Sequence, residues 1–405
     1  MGKPANTRTS VTFIRSVSAT VLVSRYEVVP SYLVKRGGDV TDAGFYRILQ
    51  PTMFGGYEFD VGTFYRTIIE IARCCPSSGW LLCLGAGHAL QLGSSFSQQA
   101  QEEVFGPDGH FIAPLSVGNS PGSRPAKPVD GGYLVSGKWR YASGVPYSTD
   151  FMGLAEVEGA DQPEPIVVIV PRESYEVLED WGELIGLKGS GSNSVVIESA
   201  FVPARHTAPI DRLMGESPLT TEVLPGGAIH RNPMYSGGFM GFAIGELTSV
   251  QVGAARGMLD EYERLLDATP ITSMSGNATM KRYLDHDFQR AFGMSLGWVD
   301  AAHAIMVRAG DVYMEMAGKA FAESRPVTSD DHWRLYGMIQ TAARLSWEAG
   351  ELMFRTGGSA ASLDGRRIQR YWRDLCAFRS NSVHQFDFRS RAVTQARFGV
   401  PIDRF

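Results

Sequence analysis

A chain of 405 residues, 44% of them hydrophobic and 20% charged, is long enough to bury more than one core. Its net charge of −5, from 38 basic against 43 acidic side chains, leaves no surplus to neutralise phosphates and argues against nucleic-acid binding. Four cysteines are too few for a disulfide scaffold, and no apolar run approaches the about 20 residues of a membrane span, so a reduced, cytoplasmic, membrane-free protein is expected.

Residues 1–40 carry Lys3, Arg8, Arg15, Arg25, Lys35 and Arg36 against Glu27 and Asp39, with many Ser and Val. An organelle import signal, a loosely ordered arm or an altered reading frame upstream of Thr41 each fit that composition, so 1–40 is set apart as an atypical N-terminal arm. From 41 to 110 the pattern is helical. Phe64, Ile68, Ile71 and Cys75 recur at helical spacing, and Trp80, Leu81, Leu84, His88 and Leu92 continue after Pro76-Ser77-Ser78-Gly79, where the serines are expected to act as N-caps. Glu102 to Phe105 reads as a short helix stopped by Gly106-Pro107.

Between 111 and 207 the period falls to two. Tyr133–Ser136 and Lys138–Tyr141 read as strands after the Gly131-Gly132 turn, followed by strands over Phe151–Val157, Pro165–Val170 and Ser194–Val202. A compact β domain, sandwich or barrel, is predicted there. From 208 to 405 the chain is helical again. One apolar stripe runs through Leu247, Val250, Ala254, Met258, Tyr262 and Leu265, and a second through Phe292, Leu296, Val299, His303, Met306, Tyr313 and Met316. The third takes Tyr336, Ile339, Ala343, Trp347 and Phe354, and with a C-terminal segment these predict a four-helix bundle.

The usual signatures of nucleotide and metal chemistry are missing. Gly85-Ala86-Gly87 lies inside a helical pattern, and Gly186-Leu187-Lys188-Gly189-Ser190-Gly191 lies in a loop that feeds a strand, so neither is a Rossmann turn. There is no P-loop, no H-E-x-x-H and no G-x-S-x-G, and the histidines lack zinc spacing, so no metal is expected. The loops at Gly186–Ser194 and Gly357-Gly358-Ser359 read equally as anion-binding backbone or as ordinary turn and C-cap glycine. His88, among Leu84, Ala89 and Leu92, reads as a core histidine or a functional one. Ser143-Gly144 alone would be a turn, and His384 alone a surface residue.

Taken together and in order, several segments resemble a known family. They are Ala43-Gly44-Phe45-Tyr46-Arg47-Ile48-Leu49-Gln50-Pro51 with Phe54-Gly55-Gly56-Tyr57, then Ser77-Ser78-Gly79-Trp80 with Gly87-His88. Next come Gly131-Gly132-Tyr133, Ser136-Gly137-Lys138-Trp139-Arg140-Tyr141-Ala142-Ser143-Gly144, and Gly186 to Ser192 leading to Phe201-Val202-Pro203. Gly357-Gly358-Ser359 and Gln369-Arg370-Tyr371-Trp372-Arg373-Asp374 complete the set. From Thr41 onward the chain resembles the acyl-CoA dehydrogenase fold, and within it the flavin-dependent two-component monooxygenases.

The resemblance implies a mainly helical protein with a central β domain: an N-terminal helical domain (41–110), a middle β-barrel (111–207) and a C-terminal four-helix bundle (208–405), assembled as a homotetramer. It implies reduced FMN or FAD, with O2 as co-substrate, held by Trp80, Pro114, Leu115, Ser116, Tyr141, Ala142 and Ser143, and by Gly357 and Gly358 from a neighbouring subunit. A separate NAD(P)H-flavin reductase would supply the reduced flavin, since no nicotinamide motif is present. The implied reaction is hydroxylation of a small phenol-like aromatic substrate through a C4a-hydroperoxyflavin, with His88 as base or orienting group and Ser143 beside flavin N5. The family's second histidine, counted from Arg373, falls on Asn381, and His384 follows within a turn, so both stay candidates. An N- or S-oxygenase of the same fold is the alternative. An acyl-CoA dehydrogenase is a weaker one, because the run from Arg373 to Asn381 lacks the glutamate that such enzymes use as base.

Overall fold

The computed structural model describes residues 40–117, 124–161, 164–210, 223–272, 279–381 and 385–402. The arm expected over 1–40 therefore lies almost wholly outside the described residues, as does His384. Three helices open the described chain: α1 (Val61–Cys74), α2 (Pro76–Ser95) and α3 (Gln98–Phe105). Asp60 caps α1 through Thr63 N, and Ser97 caps α3 through Ala100 N. The serines expected to cap α2 do not. Pro76 occupies its first turn, where a missing N–H costs nothing, and Cys75 stands at the N-cap without a side-chain bond.

The middle of the chain forms eight strands: β1 (Leu115–Ser116), β2 (Pro125–Val129), β3 (Gly132–Trp139), β4 (Asp150–Val157), β5 (Pro165–Pro171), β6 (Glu176–Val177), β7 (Val195–Pro203) and β8 (Thr207–Pro209). The two strands predicted around Ser136 are one, β3, whose register against β7 shifts between Val135 and Gly137. The sheet runs β6-β7-β3-β2-β4-β5-β8, with β1 parallel to β4. The predicted barrel is not closed. Among the described residues no pairing joins β6 to β8, and edge strands of two and three residues are too short for a closing ladder.

Both faces of this sheet are covered. Along β5, Ile166, Val168 and Val170 join Trp139, Phe151 and Val195 in one apolar cluster, while Val167 and Ile169 turn to Ala89, Leu92, Phe96 and Phe111 on the other side. That double burial is why β5 reads as an unbroken apolar run.

Beyond the sheet come α4 (Pro225–His230), α5 (Phe239–Ala268), the short pair β9 (Pro270–Thr272) and β10 (Thr279–Lys281), α6 (His286–Ala322), α7 (Ser329–Thr356), α8 (Arg367–Arg379) and α9 (Phe386–Arg397). The three long helices pack on one another, and α8 packs on α5. α1 lies against α5 so closely that a Cβ on Gly253 would fall 2.4 Å from the Ile69 carbonyl. One core, including Phe64, Tyr65, Ala86, Phe242, Met306, Tyr313 and Ile339, therefore runs through α1, α2 and the long helices together.

Candidate functional site

The element that organises the site is α2. It is buried almost all round, because one side faces the long helices and another faces the sheet. Near its start the half-buried Trp80 donates its indole N–H to Ser143 Oγ at 2.9 Å. Ser143 Oγ is 2.7 Å from Ser192 Oγ, which is 2.8 Å from Ser190 Oγ, so one indole and three buried hydroxyls form a chain. The backbone brings these residues together: Gly144 N donates to the carbonyls of Ser190 and Gly191, and Ala142 N to that of Asn193. Gly144 accommodates the tight turn with a φ of 82°. Ser116 Oγ, on β1, donates to the Arg140 carbonyl at 2.7 Å and ties the 114–116 segment to the same place.

The loop from 186 to 192 is wedged against α8. Leu187 N donates to Asp374 Oδ1 at 2.6 Å, and a Cβ on Gly186 would meet the Arg373 carbonyl at 2.1 Å. The loop's backbone thus bonds a carboxyl group of its own chain. On α8, one turn beyond Asp374, the Phe378 ring meets Trp80 edge-on at 5.2 Å. Asn381 follows at the C-terminal end of α8, its N–H donating to the Phe378 carbonyl.

His88 lies eight residues past Trp80, about 12 Å along the helix. Only 1% of its surface is exposed, and Nδ1 lies 2.5 Å from the Ala113 carbonyl. A carbonyl only accepts, so Nδ1 carries the proton and Nε2 presents its lone pair. Burial pushes the imidazole pKa down to about 4, so the ring is neutral at neutral pH. The neighbouring Gly87 faces α5, where a Cβ would lie 2.0 Å from Glu246 Oε2. Glu246 is itself buried, its Oε2 has no hydrogen-bond partner, and desolvation pushes its pKa well above the ordinary carboxyl value. Burial therefore disfavours the charged form of the carboxyl beside His88.

Of the residues singled out in the sequence, Trp80 and Ser143 meet through a hydrogen bond, while Ser116, on the segment with Pro114 and Leu115, donates to the carbonyl of Arg140 next to Tyr141 and Ala142. His88 is linked to that segment through Ala113. Gly357 and Gly358 lie elsewhere, at the end of α7, where Arg282 Nη1 donates to the Gly357 carbonyl at 2.8 Å. Among the described residues no hydrogen bond joins them to the Trp80–Ser143 group. The donor set suits a flat, polar ring system: Trp80, Tyr141 and Trp181 offer aromatic faces, and the buried Trp181 indole N–H has no partner.

Residues 247–386 match the family model for the acyl-CoA dehydrogenase C-terminal domain. The chain is 31% identical over 369 residues to a pigment production hydroxylase from a Rhodococcus species, covering 90% of this chain and 88% of the relative. It belongs to the flavin-dependent monooxygenases of the acyl-CoA dehydrogenase fold. Another member of this monooxygenase family, the oxygenase component of an FADH2-dependent resorcinol hydroxylase from Rhizobium, is 28% identical and spans 88% of this chain and 85% of its own length. The crystal structure of a 3-HSA hydroxylase from Rhodococcus superposes with a TM-score of 0.76 at 26% identity, covering 90% of this chain and 89% of that one.

The sequence reading of this monooxygenase missed Glu246, Gln91 and His332. Gln91 and Glu246 are buried and polar within helical segments rich in apolar residues, whereas His332 is buried in the polar first turn of α7. The interruption itself was the available signal, since such residues are seldom buried without a partner.

Proposed function

We propose that this chain is an oxygenase component that takes reduced FMN or FAD from a separate NAD(P)H-dependent reductase and, with O2, hydroxylates a small phenol-like aromatic. Reduced flavin, when bound, supplies the two electrons with which one atom of O2 enters the substrate and the other leaves as water. Trp80, Tyr141, Ala142 and the Pro114–Ser116 segment are the flavin's contacts in this reading, and Ser143 Oγ is the hydroxyl offered to the ring edge.

The observation that carries the reading is the state of His88. A neutral imidazole with its proton held on Nδ1 by Ala113 offers Nε2 to a phenolic hydroxyl. A phenol near pKa 10 would not surrender its proton to a group near 4 in the resting complex, a gap of roughly 8 kcal/mol at 1.36 kcal/mol per unit. The hydroxyl instead donates a hydrogen bond to Nε2, which orients the ring. The proton moves to Nε2 only as the ring gives electrons to the incoming oxygen and the hydroxyl becomes acidic. Asn381 and His384 are left as candidates for the second polar contact.

The same reading takes α5–α8 as a four-helix bundle, places unit boundaries near 110 and 207, and locates the chain in the cytoplasm. Among the described residues no helix is long and apolar enough to cross a membrane. It also takes the chain as a homotetramer in which Gly357 and Gly358, which sit beside Arg282 at the end of α7, serve a neighbour's site. The test is turnover of phenols, indoles, anilines and thioethers by the purified chain with an added flavin reductase. Hydroxylated phenols are expected, with no NADH or NADPH oxidation by the chain alone. Unaided NAD(P)H oxidation, or turnover of acyl thioesters with an artificial electron acceptor, would overturn it.

A further inference from the structure

α5 begins inside the protein without a cap. No side chain caps it, as none caps α2, α4, α8 or α9, whereas Asp60, Ser97, Asp285 and Thr328 cap the remaining helix starts. The carbonyl of its N-cap residue, Gly238, accepts from the Tyr313 hydroxyl, so the turn offers N–H donors and the positive end of a 30-residue helix dipole. A buried helix start left in this state calls for an acceptor.

Two orphaned side chains stand around it. His332, on α7, is 6% exposed and lies against the turn: Cβ atoms built on Gly238 and Gly241 would come within 3.0 Å of its ring and 3.5 Å of Nδ1, and Nδ1 has no partner. Burial holds its pKa down to about 4, so it too is neutral. Gln91, on α2, is 1% exposed, and neither its amide nitrogen nor its oxygen has a partner.

The level of Gln91 follows from three contacts between α2 and the chain around the start of α5. Gly87 faces Phe242 and Glu246, the His88 ring lies 5.7 Å from that of Phe239, and Gly93 faces Tyr235. Gln91 falls between the last two levels, three residues past His88 and on the same side of α2. That height is the start of α5. Phe239 and Met240, which begin α5, are buried.

Resting on the oxygenase reading, we infer that the uncapped start of α5, with Gln91 and His332, is the subsite for a second oxygen on the substrate. The phenolic hydroxyl would lie on His88 while a carbonyl or hydroxyl oxygen elsewhere on the arene accepts from the α5 N–H groups and from Gln91 Nε2. The substrate class is then an uncharged phenol with a second oxygen substituent.

The test compares 4-hydroxyacetophenone with its near-isostere 4-isopropenylphenol, which lacks the carbonyl oxygen, using the reductase-coupled holoenzyme. Wild type should show a lower KM for the ketone. In Gln91→Leu that preference should shrink about tenfold, as loss of one hydrogen bond predicts. Gln91→Met, close in volume, is the second variant should Leu fail to fold, and thermal unfolding reports on folding in both. Titration of each phenol into the flavin-free protein gives the same comparison without turnover. Equal KM values for the two compounds in wild type, or a preference unchanged in folded Gln91 variants, would overturn the subsite. Absence of hydroxylation of any phenol by wild type would instead sink the oxygenase reading on which it rests.

Discussion

Ser143→Ala is the sharpest probe of the hydroxyl chain. The substitution removes one oxygen that accepts from Trp80 Nε1 and bonds to Ser192, and it leaves the backbone turn at Gly144 in place. An orphaned buried donor costs about 1–3 kcal/mol, and because Trp80 is only half-buried its N–H recovers part of that from water. A loss of stability of about 1 kcal/mol is therefore expected, with the fold retained. The catalytic effect should be larger. If Ser143 Oγ bonds the ring edge of reduced flavin during oxygen transfer, losing that bond lowers the ratio of hydroxylated product to released hydrogen peroxide by about ten- to a hundredfold. The assay follows NADH consumption by excess reductase, product by chromatography and peroxide by a coupled peroxidase. Trp80→Phe separates the two roles of the hydroxyl, since it removes the donor to Ser143 but keeps Oγ and its bond to Ser192 in place. Wild-type coupling in a folded Ser143→Ala protein would refute the assignment, and equal uncoupling in both variants would reassign it to the packing of Trp80.

Two further expectations concern proton linkage. His88 stays neutral in the folded state down to about pH 4, while its unfolded counterpart takes up a proton below about 6.5, so stability falls as pH drops through that window. The loss from His88 is about 2 kcal/mol between pH 7 and 5; denaturation profiles of His88→Gln should be flatter there, and an unchanged slope would refute the burial argument. Glu246 has the opposite sign, because folding keeps its carboxyl protonated while the unfolded chain ionises above about 4.5. Glu246→Gln should therefore raise the melting temperature more at pH 8 than at pH 5, and an equal effect at both would show that the carboxylate is charged in the folded protein.

Periodicity located the long elements because burial there follows one face. Val299, Met306, Tyr313 and Met316 of the second stripe are buried on α6, although Leu296 in the same stripe is 38% exposed. The longer strands β3, β4, β5 and β7 were legible, though β3 read as two, while the short β1, β6 and β8 and the proline-bounded β2 were not; closure was not legible either, since whether β6 and β8 pair depends on tertiary positions that no alternation encodes. At the site, the segments that carried the resemblance include Trp80, His88, Ser143 and Asp374, yet not their connections. That Asp374 restrains the 186–192 loop through Leu187, or that Ala113 fixes the tautomer of His88, involves residues 187 and 25 positions apart. Gln91 and Glu246 drew no notice because their significance lies in lacking partners, which is a property of the packed protein.

The burial of α2 connects these points. A helix enclosed by the long helices and the sheet would be most stable if apolar throughout, and Leu82, Ala86, Leu90 and Leu92 follow that rule. His88 and Gln91 break it, and Gly87 beside them brings an unpartnered carboxyl against the helix. Each polar group buried without a partner costs about 1–3 kcal/mol, a large share of the stability of any domain. Selection for folding alone would have replaced them by Leu or Met. In the proposed subsite, the groups within one turn of α2, opposite the start of α5, find their partners on the bound substrate.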